Sequence, residues 1–243
     1  MNIQITEVLR RSEQGVTLPF ICRGEDNATY FVKGRGAGRR SLISEYLCGK
    51  LAVEFGLPIA DFAIVDVPEL LIKGALTPDI QDLGAGLAFG SKALSHVQEL
   101  HFPQLKTISE RIKRDVVMFD WWVLNSDRTL NENGGNPNLL WDQKENKLVV
   151  IDHNTAFETN FDRKSFCEKH IFCSVLPSIF GDMVEREHYK QRFAQTFDAF
   201  DSACDNVPEE WWWVDDGVPA QFDRVFVRNS LLSFDQDFFW SMP

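Results

Sequence analysis

Three oxygen-bearing side chains flank a predicted β-hairpin in the second half of the chain. Asn138 opens the first predicted strand, NLLW, and Asp152 follows the second, LVVI, with the polar turn DQKENK between them. Because antiparallel pairing brings the two ends of a hairpin together, with opposed residues about 5 Å apart, Asn138 and Asp152 should meet. Asp127 lies in the loop that enters the hairpin at the same end. The sequence therefore predicts two carboxylates and one amide at one place.

Such a cluster suits the transfer of a phosphoryl group. Hard cations such as Mg²⁺ prefer oxygen ligands, so Asn138 and Asp152 are candidates to hold Mg²⁺ against the phosphates of ATP. Asp127 is the candidate to accept the proton of an attacking hydroxyl, and phosphoryl transfer needs little more than this positioning. The loop holds three rival asparagine ligands, namely Asn131, Asn133 and Asn136. We prefer Asn138 because it directly precedes the apolar strand.

A basic group for the phosphates is expected from the first half of the chain. Lys33 ends the strand TYFVK, a position from which its ammonium group can reach a cleft. In protein kinases a strand lysine pairs with a helix glutamate, and Glu45 lies at a suitable place in the next predicted helix. The turn at residues 12–17, SEQGVT, lies between two strands and is a candidate phosphate lid, although it holds a single glycine.

The first half of the chain reads as strands followed by one helix. Short strands joined by turns are predicted at residues 5–11, 18–24 and 29–34, so an antiparallel meander is expected. Ser41 is predicted to cap a helix that ends at Gly56, because apolar residues recur at helical spacing between them. Two further strands are predicted at residues 61–68 and 86–94.

The second half of the chain is predicted to be mainly helical. A helix near residues 107–124 leads into an Asn- and Gly-rich loop at 125–138, whose composition indicates irregular structure. The hairpin follows, and residues 160–243 read mostly as helices. We therefore predict an α+β fold with an antiparallel-sheet N-lobe containing one helix at residues 1–90. A mainly helical C-lobe with the catalytic hairpin is predicted at residues 91–243.

Five segments occur in an order that is fairly specific. They are YFVK, SEYLCGKLAVEFGLP, LNSDR, GGNPNLLWD and VVIDHNTAF, and they lie between residues 5 and 157. Together they resemble HipA-like kinases, which are bacterial serine/threonine kinases distantly similar to phosphatidylinositol kinases. The resemblance implies a two-lobed protein-kinase-like fold that uses ATP and Mg²⁺ and phosphorylates a protein.

The resemblance also implies a role for each matching residue. Asp127 would be the catalytic base, and Asn138 and Asp152 would bind the metal. Lys33 would contact the α- and β-phosphates, with Glu45 orienting it. The remaining implied contacts are the hinge against adenine from Phe89 to Lys92, and the phosphate loop with Ser12 and Gly15. Members of the family can carry a regulatory phosphoserine in that loop, at the position of Ser12.

The sequence departs from the kinase pattern in three ways. Asn138 lies eleven residues after Asp127, whereas kinases place the metal asparagine five residues after the aspartate, so an insertion is expected. His153 and Asn154 follow Asp152 where ordinary protein kinases have Phe-Gly. The chain is also shorter than full HipA-like toxins, which puts control by a DNA-binding antitoxin in doubt. A neutralising partner protein stays a candidate.

Composition narrows the choice of partners and compartment. The net charge is −11, and the only dense basic patch lies at residues 33–40, so nucleic acid is not an expected partner. Apolar runs are too short to span a bilayer, so no membrane association is expected. An odd number of cysteines, five, fits reduced thiols in the cytoplasm better than a disulfide framework.

Other functions remain open from the residues alone. The same core would serve a kinase for a small molecule or a lipid headgroup, or a non-catalytic nucleotide-binding pseudokinase or interaction module. Cys167, His170 and Cys173 form an alternative zinc motif, but it offers three ligands at a spacing unlike closed zinc sites. The stretch GRGAGRR has Arg39 where a nucleotide-binding loop needs its last glycine, so a mobile loop is expected there.

Overall fold

The computed structural model describes residues 2–13, 18–75 and 77–243, and the chain divides into two compact units. The first unit contains the described residues up to Tyr46, together with Ala60–Ser95 and Val207–Phe222. The second contains Leu47–Ile59, His96–Asn206 and Asp223–Pro243. This division differs from the single boundary after residue 90, because one segment from each half of the chain belongs to the other unit.

The first unit is built on a closed five-stranded barrel in the order β1-β2-β3-β5-β4. Its strands are β1 (Ile3–Arg11), β2 (Phe20–Gly24), β3 (Thr29–Lys33), β4 (Phe62–Val67) and β5 (Gly86–Lys92). The predicted meander of β1, β2 and β3 is present. The sheet is not wholly antiparallel as predicted, because β1 pairs in parallel with β4, through Ile3 opposite Val65.

Alternating apolar residues fill the barrel. Successive side chains of a strand point to opposite faces, so every second residue enters the core. The fully buried members are Ile5, Cys22, Tyr30, Val32, Val65, Val67 and Ala88. Gly90 on β5 permits the close approach of β4, since a Cβ atom there would lie 2.6 Å from Cγ1 of Val65.

Two helices accompany the barrel strands in the sequence, not one. The helix α1 (Arg39–Phe55) begins at Arg39, so Ser41 lies inside its first turn and is not the N-cap. The short helix α2 (Glu69–Lys73) was not predicted. Gly34 before α1 is required by packing, because a Cβ atom would lie 1.9 Å from the carbonyl oxygen of Leu83.

The second unit contains a small antiparallel sheet and an early helix. The helix α3 (Glu110–Trp122) begins after Ser109, whose hydroxyl accepts the N–H of Ile112 at 3.4 Å. The sheet has the order β6-β7-β8, with β6 (Val97–Glu99), β7 (Leu139–Asp142) and β8 (Lys147–Val150). The predicted hairpin of β7 and β8 is present, with Leu139 opposite Val150. The strand β6 was not predicted.

The rest of the second unit is helical, as expected. Its helices are α4 (Arg163–Lys169), α5 (Leu176–Phe180), α6 (Met183–Phe197), α7 (Phe200–Asp205) and α8 (Arg224–Leu231). Aromatic rings form its core: Phe193 stacks on Trp122 with centroids 4.8 Å apart and on Phe55 at 5.6 Å. The strands β9 (Trp213–Asp215) and β10 (Val218–Pro219) belong to the first unit. Within the described ranges, no helix is long and apolar enough to cross a membrane.

Candidate active site

The structure brings Asp127 and Asn138 into direct contact. The side-chain amide of Asn138 donates to the backbone carbonyl of Asp127 at 2.9 Å and to its carboxylate oxygen Oδ2 at 3.3 Å. The amide of Asn136 donates to the same Oδ2 at 3.0 Å. Two neutral amides thus fix the orientation of a half-buried carboxylate.

Asp152 lies at the same end of the hairpin. The N–H of Ile151 donates to the carbonyl of Asn138 at 3.1 Å, which extends the pairing of β7 and β8 to the residue next to Asp152. The negative charge of Asp152 also acts on the carboxyl of Asp127. The hairpin therefore gathers the three side chains as its antiparallel geometry predicts.

The backbone around these residues is unusual. Asn138 has φ 48° and Asp152 has φ 57°, while Leu124 and Phe157 nearby in sequence have φ 53° and 62°. Non-glycine residues with positive φ are uncommon, and such strain concentrates at functional sites when the surroundings enforce it. Asparagine and aspartate adopt this conformation more readily than other residues, so Leu124 and Phe157 are the strained positions near the loop and the hairpin end.

The rival asparagines occupy two different environments. Asn131 accepts the N–H of Asn133 at 2.8 Å within an exposed turn. Asn136 and Asn138 instead contact Asp127. Because Asn138 donates through Nδ2, its Oδ1 is the atom suited to a cation. The two candidates beside Asp127 are thus Asn136 and Asn138.

The donors at this site fit Mg²⁺. Amide and carboxylate oxygens are hard ligands, and protein magnesium sites commonly use one or two carboxylates together with water and phosphate oxygens. Across residues 2–13, 18–75 and 77–243, no three His, Cys, Asp or Glu side chains form a group that could hold a metal by themselves. Asn138 and Asp152 therefore suit a cation that keeps substrate oxygens among its ligands.

The environment of Asp127 favours proton acceptance. Burial raises the pKa of its carboxyl above the usual range, and the charge of Asp152 acts in the same direction. The hydrogen bonds from Asn136 and Asn138 act against this rise. A carboxylate with a raised pKa is a stronger base, which is what a group that takes a hydroxyl proton requires.

In the first unit, Lys33 and Glu45 form the predicted ion pair. Nζ of Lys33 contacts Oε1 of Glu45, and both side chains are buried. Lys33 is the last residue of β3 and Glu45 lies in α1. A buried ion pair brings no assured stability, because desolvation opposes the attraction of the charges. Its presence therefore calls for a functional explanation.

The other predicted contacts lie on or beside barrel strands. Phe89 and Lys92 are both on β5; Phe89 pairs with Lys33 on β3 and stacks on Phe62 with centroids 5.5 Å apart. Ser12 follows β1, is buried, and donates its backbone N–H to the carbonyl of Pro19 at 2.8 Å. The predicted phosphate-loop residue Gly15 lies outside the described residues.

A buried charge network beside the site was not predicted. Arg128 is fully buried and donates Nε to Oδ2 of Asp120 at 2.6 Å. Its Nη1 donates to the carbonyls of Pro137 at 3.3 Å, Asn138 at 2.5 Å and Ile151 at 3.3 Å. Arg128 thus ties α3 to the residues that precede β7 and follow β8, at the open end of the hairpin. The only sequence signal was its place directly after Asp127.

The alternative zinc motif is not supported. His170 is fully buried, with Nε2 3.1 Å from Oδ2 of Asp120, and its Nδ1 accepts the N–H of Phe172 at 3.1 Å. In the part of the chain that the structure describes, no three His, Cys, Asp or Glu side chains form a group that could hold a metal ion. Both ring nitrogens of His170 are therefore engaged within the protein.

Comparisons with known proteins bear on the family and the fold of the chain. A sequence profile of the family described as HipA-like kinase matches residues 5–243. No curated protein is a significant match to the chain. The fold is similar to the crystal structure of the proinflammatory kinase CtkA of Helicobacter pylori, with a TM-score of 0.51 and 12% identity, covering 95% of this chain and 92% of that chain. At this identity the likeness concerns the fold alone.

Proposed function

We propose that this chain, which belongs to the HipA-like kinase family, transfers the γ-phosphate of Mg·ATP to a serine or threonine hydroxyl of a protein. The family itself supports phosphotransferase activity and the use of ATP. The observation that carries the finer proposal is the carboxylate of Asp127, oriented by the amides of Asn136 and Asn138 and acted on by the charge of Asp152.

In this proposal Asp127 accepts the proton of the attacking hydroxyl. Its raised pKa keeps the carboxyl basic, and its two amide partners aim Oδ2. Asn138 and Asp152 hold Mg²⁺. When bound, Mg²⁺ neutralises the charge that develops on the phosphate oxygens. The left-handed backbones of Asn138 and Asp152 fix these two ligands before substrate arrives, which lowers the cost of reorganisation.

The first unit is proposed to bind the nucleotide. Lys33 contacts the α- and β-phosphates, and the buried carboxylate of Glu45 holds its ammonium group in one orientation. The β5 residues Phe89 and Lys92 form the hinge against adenine. Ser12 and Gly15 contribute the phosphate loop. The roles of Phe89, Lys92, Ser12 and Gly15 rest on the resemblance to the family.

The acceptor is proposed to be a protein, and the compartment the cytoplasm. All five cysteines are free thiols, which fits a reducing compartment. A neutralising partner protein is proposed on family resemblance alone. The acidic net charge of −11 speaks against a lipid surface as the site of the acceptor.

The experiment that tests the proposal is calorimetric titration with ATP, with and without Mg²⁺. We compare the wild type with Asp152→Asn and with Asp142→Asn, a matched control at the other end of the same hairpin, where Oδ1 of Asp142 accepts N–H groups of the turn. We expect saturable binding that requires Mg²⁺, at least about tenfold weaker in Asp152→Asn because a metal ligand is lost. Asp142→Asn should bind as the wild type does.

Two results would contradict the proposal. If phosphatase-treated wild type binds no ATP under any metal condition, the chain is not a kinase and the interaction-module reading replaces it. If Asp127→Asn transfers phosphate at the wild-type rate from ATP labelled at the γ position, Asp127 is not the base.

A further inference from the structure

The charge network behind the catalytic loop includes a residue from far along the chain. His170 lies directly after α4, fifty residues beyond Asp120, yet the two side chains are in contact inside the second unit. Both are buried, and so is Arg128 between Asp120 and the hairpin. Nothing in the proposed chemistry requires His170 to touch substrate.

We propose that His170 is a positioning residue for the catalytic loop and for the end of the hairpin. It acts through Asp120 and Arg128. This inference rests on the proposed function for its catalytic meaning, but the positioning itself is a physical claim about this chain.

The hydrogen bonds of His170 determine its role as a donor. Its Nδ1 accepts the N–H of Phe172, so the ring proton is on Nε2, which donates to Oδ2 of Asp120. Burial lowers the pKa of His170, which keeps the ring neutral. The ring also stacks on Phe166 with centroids 4.5 Å apart. His170 is thus held in one orientation from three sides.

Asp120 passes this constraint to Arg128. Its Oδ2 receives both His170 and Nε of Arg128, while its Oδ1 receives the amide of Asn125 at 2.8 Å and Nη2 of Arg128 at 3.4 Å. Because the guanidinium is planar and Asp120 holds its Nε and Nη2, the direction in which Nη1 points is fixed. That direction leads to the hairpin.

Arg128 fixes the backbone at both candidate metal ligands. Nη1 donates to the carbonyl of Asn138 and to that of Ile151, the residue before Asp152. The carbonyl of Asn138 also accepts the N–H of Ile151. The left-handed backbones of Asn138 and Asp152 therefore sit beside one guanidinium whose orientation Asp120 and His170 determine.

The backbone near His170 supports the same loop. The N–H of Ile171 donates to the carbonyl of Arg128 at 3.0 Å, and Thr129 and His170 form an antiparallel bridge. The segment after α4 therefore contacts the catalytic loop through both its backbone and a side chain. Loss of the His170 side chain removes one of these two supports, so the backbone hydrogen bond of Ile171 alone holds the loop there and opens more often.

Hydrogen–deuterium exchange of the full chain tests the positioning without any ligand. We compare wild type, His170→Phe, His170→Gln and the matched control His188→Phe. In His170→Phe we expect exchange at the Ile151 and Ile171 amides to rise at least about tenfold, as when a buried acceptor loses its donor. Amides in α6 and in β2 should keep their wild-type rates. His170→Gln, which can again offer an N–H to Asp120, should recover most of the protection, and His188→Phe should resemble the wild type.

Steady-state kinetics of the same variants measure the consequence for catalysis. With casein as the acceptor protein, transfer of the labelled γ-phosphate of Mg·ATP should show kcat at least about tenfold lower in His170→Phe, with the KM for ATP changed less than about threefold, since small displacements of reacting groups chiefly affect the chemical step. Unchanged exchange at Ile151, or an equal rise throughout the chain, would overturn the positioning role. A wild type that binds no Mg·ATP would instead contradict the proposed function, and the exchange data would still decide the role of His170.

Discussion

Two aspartates seven positions apart show how local environment separates structural from catalytic carboxylates. Burial disfavours the charge of both. For Asp120, the guanidinium of Arg128 and the hydrogen bond from His170 outweigh burial and hold the pKa below its usual range. For Asp127, the hydrogen bonds come from neutral amides and Asp152 adds negative charge, so the pKa is raised. Asp120 is therefore suited to hold structure, and Asp127 to accept a proton.

We predict that Asp127→Asn stabilises the fold while it abolishes turnover. A carboxyl whose pKa is raised by folding adds stability below the unfolded pKa of about 3.9, and loses it as pH rises through the folded pKa. At pH 7 the ionised carboxylate of Asp127 therefore lowers the stability of the fold, and the neutral amide of asparagine does not. Urea unfolding at pH 7 should show a gain of about 0.5–1 kcal/mol, within the range of stabilising substitutions at functional sites.

The pH dependence supplies the control for that prediction. The advantage of Asp127→Asn over the wild type should shrink as the pH falls from 7 toward 4, because the wild-type carboxyl becomes protonated. An advantage that is the same at both pH values would mean that the charge of Asp127 is not its source.

The residues of the site were predictable to the extent that one hairpin defines them. The turn and the apolar strands on either side of it place Asn138 beside Asp152 by local geometry, and the loop before them contains Asp127. His170 and Asp120 were not predictable, because no short motif joins side chains fifty positions apart. The sequence also left Asn136 as a rival to Asn138 for the metal ligand. An irregular loop has no periodicity that indicates which way its side chains point.

At the scale of elements, local pairings were predictable and distant ones were not. Strands β1, β2 and β3 follow one another through short turns, so alternation and turn residues indicate them. The parallel pairing of β1 with β4 joins residues about sixty positions apart and leaves no mark on either segment. The short strand β6 has three residues, too few to show alternation.

The segment Val207–Phe222, here called the returning segment, is the least local feature of the first unit. Trp211 is fully buried, and its Nε1 donates to the carbonyl of Leu87 on β5 at 2.9 Å. Oε1 of Glu210 accepts the N–H of Leu87 at 3.0 Å. The ring of Trp211 also packs edge-on against Tyr46, next to Glu45. Two side chains of the returning segment thus bind β5 beyond its pairing with β3.

We predict that Trp211→Phe lowers the free energy of unfolding by about 1–3 kcal/mol, because the buried carbonyl of Leu87 loses its donor and the smaller ring leaves space. The matched control is Trp213→Phe, since Trp213 is 44% exposed and such surface changes stay within about 0.5 kcal/mol. Denaturant titration followed by circular dichroism measures both. Equal effects of the two substitutions would show that the returning segment does not stabilise the barrel through Trp211.

At the scale of the whole molecule, chain order and compact units do not coincide. The helix α1 contributes residues up to Tyr46 to the first unit and residues from Leu47 to the second. The returning segment belongs to the first unit although it follows residue 206. A single boundary placed between predicted elements cannot represent this, because it keeps each helix whole and keeps the segments in chain order.

We therefore predict that fragments 1–95 and 96–243 do not fold separately. The first lacks Trp211 and Glu210, which bind Leu87. The second lacks Phe55, which stacks on Phe193, and Pro58, whose carbonyl accepts the N–H of Val150 at 2.8 Å. Each loss removes buried contacts worth several kcal/mol from a fold whose total stability is about 5–15 kcal/mol.

Near-ultraviolet circular dichroism of each fragment measures the outcome, because a fixed aromatic core gives a signal there that a loosely packed one loses. We expect neither fragment alone to show it, and an equimolar mixture to regain it, since the mixture again contains every missing contact. Cooperative unfolding of fragment 1–95 by itself would show that the barrel is stable without the returning segment. In that case the first unit would fold without Trp211, and the burial of Trp211 would only follow from that fold.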